Sequence, residues 1–114
     1  MKIYESDELV EYVDFETIVR KEIENVYSVQ EIVNFTTPRK LASGDLYNSL
    51  RIQAEYELTK NLRRSILKLA CSDSMGGGNV LLRDENKSEW EEITKDSNNE
   101  KIKEIIIKKS KLNT

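Results

Sequence analysis

L-R-I-Q-A-E-Y-E-L, residues 50–58, alternates apolar and polar side chains without a slip. In a strand this places Leu50, Ile52, Ala54, Tyr56 and Leu58 on one face and Arg51, Gln53, Glu55 and Glu57 on the other, so Ile52, Ala54 and Tyr56 are expected to be buried and Arg51, Gln53 and Glu55 exposed. The same stretch lies within an i+4 row of Leu46, Leu50, Ala54, Leu58, Leu62, Ile66 and Ala70, which a helix stopped by Gly76-Gly77-Gly78 would use. At 3.6 residues per turn such a row drifts by about 40° per step and winds around the helix instead of forming one stripe. It would also bring Arg51 and Glu55 into the apolar arc and leave Ile52, Tyr56 and Leu67 outside it. The strand reading uses every apolar residue and is the expectation for residues 45–71, with the helix as its alternative. Residues 59–64 then form a turn, and Leu67, Leu69 and Cys71 supply a second strand.

Residues 6–35, upstream of this stretch, show helical spacing. Phe15, Ile18, Val19, Ile23, Val26 and Tyr27 recur at three and four residues with charged residues between them, and Asp14 is a candidate N-cap. Pro38 biases Thr37 to an extended conformation and ends the pattern. Residues 39–45 read as a connector with Gly44 as its flexible point. Downstream, residues 80–82 and 89–94 are short strand candidates, 84–88 and 96–99 are turns, and Ile102, Ile105, Ile106 and Ile107 favour a last strand. The expected organisation is a helical arm and connector over 1–44 and a small β domain over 45–114.

The chain's 114 residues are 38% hydrophobic and 34% charged, which allows one small core with highly solvated flanks. Five basic and ten acidic residues occupy 1–50, and only the tail over residues 101–111 is locally basic. A net charge of −3 argues against a general phosphate-binding surface. The lone Cys71 excludes an internal disulfide and points to a reducing compartment. The N-terminus turns acidic where a signal peptide needs an apolar run, and no run reaches membrane-spanning length, so a soluble cytoplasmic protein is expected.

Histidine is absent, which removes the commonest general base and metal ligand. The triple glycine lacks the Lys-Ser/Thr that a phosphate-binding loop needs. Paired carboxylates such as Glu91-Glu92 have no ligand spacing and read as solvated faces. No catalytic residue, metal or cofactor is expected. The apolar face of Phe15, Ile18, Val19, Ile23, Val26 and Tyr27 exceeds what a β domain of this size can cover, so these six are the candidate partner-binding residues.

A helix followed by about five short strands also resembles the Sm-like fold. Leu46-Tyr47-Asn48-Ser49-Leu50-Arg51-Ile52-Gln53 is similar to the start of an LSM domain. Leu69-Ala70-Cys71-Ser72-Asp73 with Asn79-Val80-Leu81-Leu82 resembles the first Sm motif, and Ile105-Ile106-Ile107-Lys108-Lys109 takes the place of the second. Arg63-Arg64 stands where LSM domains usually carry a glycine. The nearest resemblance is to the LSM-domain auxiliary subunit of the N-terminal acetyltransferase C complex, over roughly residues 46–112.

That resemblance implies an α+β protein, a helical arm followed by an Sm-like antiparallel β-barrel, acting as a non-catalytic auxiliary subunit on a larger scaffold subunit. An RNA-binding LSM ring subunit is the alternative, with Asp73, Asn79 and Lys108 as the base-pocket candidates. RNA is not favoured, because the loop between Asp73 and Asn79 has no stacking side chain and Lys108 has no planar fork. The helical alternative resembles an all-α histone-fold subunit and implies an obligate heterodimer.

Overall fold

The computed structural model describes residues 1–22 and 25–112. The alternating stretch is a strand, and it lies inside an antiparallel meander rather than a barrel. The strands are β1 (Lys2–Glu5), β2 (Leu9–Arg20), β3 (Val26–Lys40), β4 (Leu46–Glu57), β5 (Leu62–Cys71), β6 (Val80–Asp84) and β7 (Glu91–Glu92). They pair in the order β1-β2-β3-β4-β5-β6. β7 pairs with the first residues of β5, so β6 and β7 share one edge of that strand in succession. One 15-residue helix, α1 (Asn98–Leu112), closes the fold.

The register sorts the side chains onto two faces. Tyr56 stands opposite Tyr27, Ala54 opposite Val29 and Ile52 opposite Glu31. This face receives the helix, whose Ile102 and Ile106 are 2% and 0% exposed among Val13, Ile18, Val29, Ile52, Ala54, Tyr56 and Ile93. Helix and sheet are two layers around one core. Polar bonds fix how the helix lies. Asn98 Nδ2 donates to Glu11 Oε2 (3.2 Å), Lys103 Nζ to Asn61 Oδ1 (2.7 Å) and Lys109 Nζ to the Phe15 carbonyl (2.7 Å).

The helical arm expected over residues 6–35 is two strands. Its β-branched residues lose χ1 freedom in a helix and gain packing on a pleated sheet. The alternation of Tyr27, Val29, Glu31 and Val33 with Ser28, Gln30, Ile32 and Asn34 is realised in full as β3, paired to both neighbours. The spacing that looked helical spans a break. β2 carries extra residues between Asp14 and Val19, where Thr17 Oγ1 donates to the Asp14 carbonyl (2.7 Å) and accepts from the Gln30 N–H (2.8 Å). Pro38 does not end an element either. It sits in the part of β3 that has no outer neighbour, where a missing donor costs nothing.

The isoleucine-rich segment expected as a last strand is α1. Ser97 caps it, its Oγ accepting from the Glu100 N–H (3.2 Å), while Glu100 Oε1 accepts from the Asp96 N–H (3.1 Å). This S-x-x-E arrangement lies close to a capping box. Lysine and glutamate between Ile102 and Ile106 favour helix as well. With six strands in an open meander and a single α-helix among the described residues, the Sm-like barrel and the all-α histone alternative are both overturned.

The exposed polar face expected for β4 also needs correction, since Arg51 and Gln53 are half-buried and Glu55 is buried. Glu55 is 6% exposed, and its Oε1 accepts from Arg64 at 2.8 Å, with Lys21 at 3.9 Å from Oε2. Trp90 covers that arginine, whose guanidinium carbon lies 4.3 Å from the ring centroid.

Candidate functional site

The sheet face turned away from α1 carries the most distinctive surface. Cross-strand pairs set Tyr12, Ile32, Arg51, Leu69 and Arg83 in one row from β2 to β6. At one end of this face β3 and β4 run on as a bare hairpin. Beyond Thr36 and Asn48 neither strand has an outer neighbour, and residues 36–46 are exposed except Leu41. Phe35 and Tyr47 meet edge to face with centroids 5.7 Å apart, and the Arg39 guanidinium lies 4.4 Å from the Phe35 ring centroid. Such stacking stiffens the root of the arm.

The triglycine loop folds over the same end. Asn48 Nδ2 donates to the Ser72 carbonyl (2.6 Å) and Ser49 Oγ to the Asp73 carbonyl (2.6 Å). The Met75 N–H donates to Asn34 Oδ1 and the Gly76 N–H to Ser49 Oγ, both at 2.8 Å. These bonds hold a 3₁₀ turn, Ser74–Gly76, in which Met75 takes φ 57° and stays 48% exposed. A left-handed methionine is strained. Gly76 is required here, because a Cβ on it would stand 2.5 Å from Arg51 Cγ and its φ is +72°. Beside the loop a cavity of about 180 Å³ is lined by Met1, Tyr12, Val13, Asp14, Ile32 and Met75.

Arg51 itself is half-buried, and its Nε is buried without a hydrogen-bond partner. The other drawn-in arginines are paired. Arg63 Nη2 lies 2.6 Å from Glu31 Oε1 and Arg64 Nη2 lies 2.8 Å from Glu55 Oε1.

On the helix side a second cavity of about 200 Å³ is lined in part by Glu11, Glu31, Ile52, Arg63, Asn99 and Ile102. The Tyr56 hydroxyl donates to Glu31 Oε2 and accepts from Arg63 Nε at 3.1 Å. Burial, with the Glu31 charge added, drives the Tyr56 pKa far above its ordinary value. Burial acts to lower that of Arg63, but the Glu31 charge and bonds to Glu31 and Tyr56 together raise it. Burial and then the Glu31 charge raise the Glu11 carboxyl. The cluster is a closed ion pair that ties three strands, with no nucleophile in it.

The sequence candidates scatter. Ile18 and Val26 are 8% and 4% exposed, Phe15 and Tyr27 pack partly against the core, and Val19 is 56% exposed. Ile23 lies outside the described residues. Asp73 and Asn79 flank the triglycine loop, where the Asn79 N–H donates to Ser72 Oγ and the Ser72 N–H to the Asn79 carbonyl, both at 2.9 Å. Lys108 is exposed on α1, remote in sequence and element from that loop. Among the described residues no group of three or more His, Cys, Asp or Glu side chains could hold a metal. No helix there is long and apolar enough to cross a membrane.

The family signature of surface-adhesin protein E matches residues 1–106. The chain belongs to this family. The solved structure of Haemophilus influenzae protein E is similar in fold, with a TM-score of 0.69 at 17% identity over 84% of this chain and 75% of that one. Its crystal form II gives 0.70 at 17% over 84% and 78%, and its selenomethionine form 0.66 at 19% over 84% and 77%. Among curated proteins none matches. The family assignment overturns the resemblance to LSM-domain proteins. With it go the acetyltransferase auxiliary subunit, the scaffold partner, the RNA-binding ring, the histone-fold heterodimer and the cytoplasmic location. An adhesin is a binding protein and not a catalyst.

Proposed function

We propose that this chain is a non-enzymatic surface adhesin, exposed outside the cell. In this reading it binds an extracellular host molecule through the end of the sheet where the β3–β4 arm and the triglycine loop meet. The observation that carries the reading is the family match over nearly the whole chain. The geometry supports the choice of surface. Leu46 and Met75 are large apolar side chains left 57% and 48% exposed at that end, and the arm projects beyond its neighbouring strands. Large exposed apolar residues on a stiff support are what a binding surface needs.

The test is saturable binding of the purified, labelled chain to cultured epithelial cells and to their deposited matrix. Leu46→Asp with Met75→Asp should reduce binding at least about tenfold, the loss expected when hot-spot contacts go, while leaving the circular dichroism spectrum unchanged. Absence of saturable binding to either surface would refute the function. Full binding by the double variant would refute the surface. Treating intact producing cells with protease should degrade the chain, and its survival until lysis would refute the location.

A further inference from the structure

We infer that Arg51 is a recognition site for a single carboxylate, presented by an acidic side chain of a partner protein beside an apolar one. Arg51 reaches the open face of the sheet between two apolar cross-strand partners, Ile32 and Leu69. Its stem is packed beneath Gly76, and its Nε is buried with no acceptor. No hydrogen bond or ion pair of its side chain is found among the described residues. A half-buried cation with one orphaned donor carries a cost, and the fold supplies a carboxylate for each of the other two arginines drawn into the sheet. Gly76 covers Nε, so a ligand meets the guanidinium at its two Nη groups, whose outer edge a carboxylate fits with two parallel bonds.

The surroundings narrow the ligand. Ile32 and Met75 line the neighbouring cavity of about 180 Å³ together with Tyr12 and Met1, so an apolar group attached to the carboxylate has somewhere to go. Asp14 lines that cavity too, and Asp73 is on the loop above. The chain's net charge is −3. One cation in an acidic setting attracts a single charge and repels a polyanion, so a sulfated glycan is disfavoured. The loop also explains its own composition, since Gly76 without a Cβ is what lets it close over the arginine stem.

The physiological partner rests on the adhesin reading, but the site is tested without it. The Arg51 Nε–H signal is followed by nuclear magnetic resonance while 3-phenylpropionate is titrated into the intact chain, with 3-phenylpropionamide and inorganic sulfate in parallel. Phenylpropionate should shift the signal saturably, and neither control should. Arg51→Gln should weaken binding, read from Ile32 and Met75 methyl signals, by at least about tenfold, as expected when a charged hydrogen bond is lost. Arg51→Lys should restore only part of it. An equal shift by the amide would mean apolar binding alone, and an equal shift by sulfate a generic anion site. Either result, or no shift, overturns the proposal. Arg51→Gln is then assayed on cells. If the wild-type chain binds cells yet ignores the probe, only this proposal fails. If it binds the probe but no cells, only the adhesin reading fails.

Discussion

Ile106→Ala tests the feature that most separates this fold from its sequence-based expectation, the docking of α1 on the sheet. Ile106 is fully buried, and the substitution removes three carbons from the core. At about 0.8 kcal/mol per buried methylene the transfer loss is about 2.4 kcal/mol. A cavity that collapses only in part brings the expected cost to about 3–4 kcal/mol, within the range for such truncations. A chain of this size holds on the order of 6–17 kcal/mol of stability, so the variant still folds. Urea denaturation followed by circular dichroism should show the midpoint fall by about 1–4 M with an unchanged slope. Ile107, half-buried one position on, should cost about 1 kcal/mol when truncated, and Lys108, which is exposed, nothing measurable. Equal losses at Ile105, Ile106 and Ile107, or a cost below about 1 kcal/mol at Ile106, would show that no helical face is packed against the sheet.

Tyr56→Phe leaves Glu31 and Arg63 short of a partner inside the fold and should cost about 1–3 kcal/mol in the same assay. Gly76→Ala should cost about 1–3 kcal/mol, because it combines a positive φ with a Cβ pressed on Arg51; a thermal melt unchanged from wild type would contradict the loop geometry. Glu11 gives a pH dependence with a definite sign. Its folded pKa is raised above the ordinary 4.5, so between the two values the folded chain holds a proton that the unfolded chain has lost. The stability due to this group therefore falls as pH rises through that window and stays low at neutrality. Glu11→Gln keeps an oxygen for Asn98 and should raise the melting temperature at pH 7, with the advantage gone by pH 4.

Where the two sides of a strand differ in polarity, the sequence spelled it out. Residues 50–57 alternate because β4 packs apolar side chains against the helix and turns Arg51, Gln53, Glu55 and Glu57, half-buried or buried, to the other face. β2 was illegible for the opposite reason. The extra residues between Asp14 and Val19 break its alternation, and counting across that break converts a period of two into an apparent three and four. The tail misled through composition. Ile105-Ile106-Ile107 favours a strand locally, while Ser97 and Glu100 carried a helix-start signal that outweighs it once Ile102 and Ile106 have a sheet to cover.

The candidate site was half legible in the same sense. Asp73, Gly76 and Asn79 stood out as a loop, but what the glycine accommodates is a side chain 25 positions earlier, and only tertiary pairing brings the two together. Arg51 read as one more solvated residue on a polar strand face. Whether a charge on such a face is solvated depends on what folds over it, and that is decided here by four hydrogen bonds between the loop and Asn34, Asn48 and Ser49. Those three residues lie on β3 and β4 at the root of the projecting arm, so the arm, the loop and Arg51 are positioned by one set of contacts. A partner that grips the arm therefore meets the unpaired arginine next, and loosening the loop should weaken both contacts together.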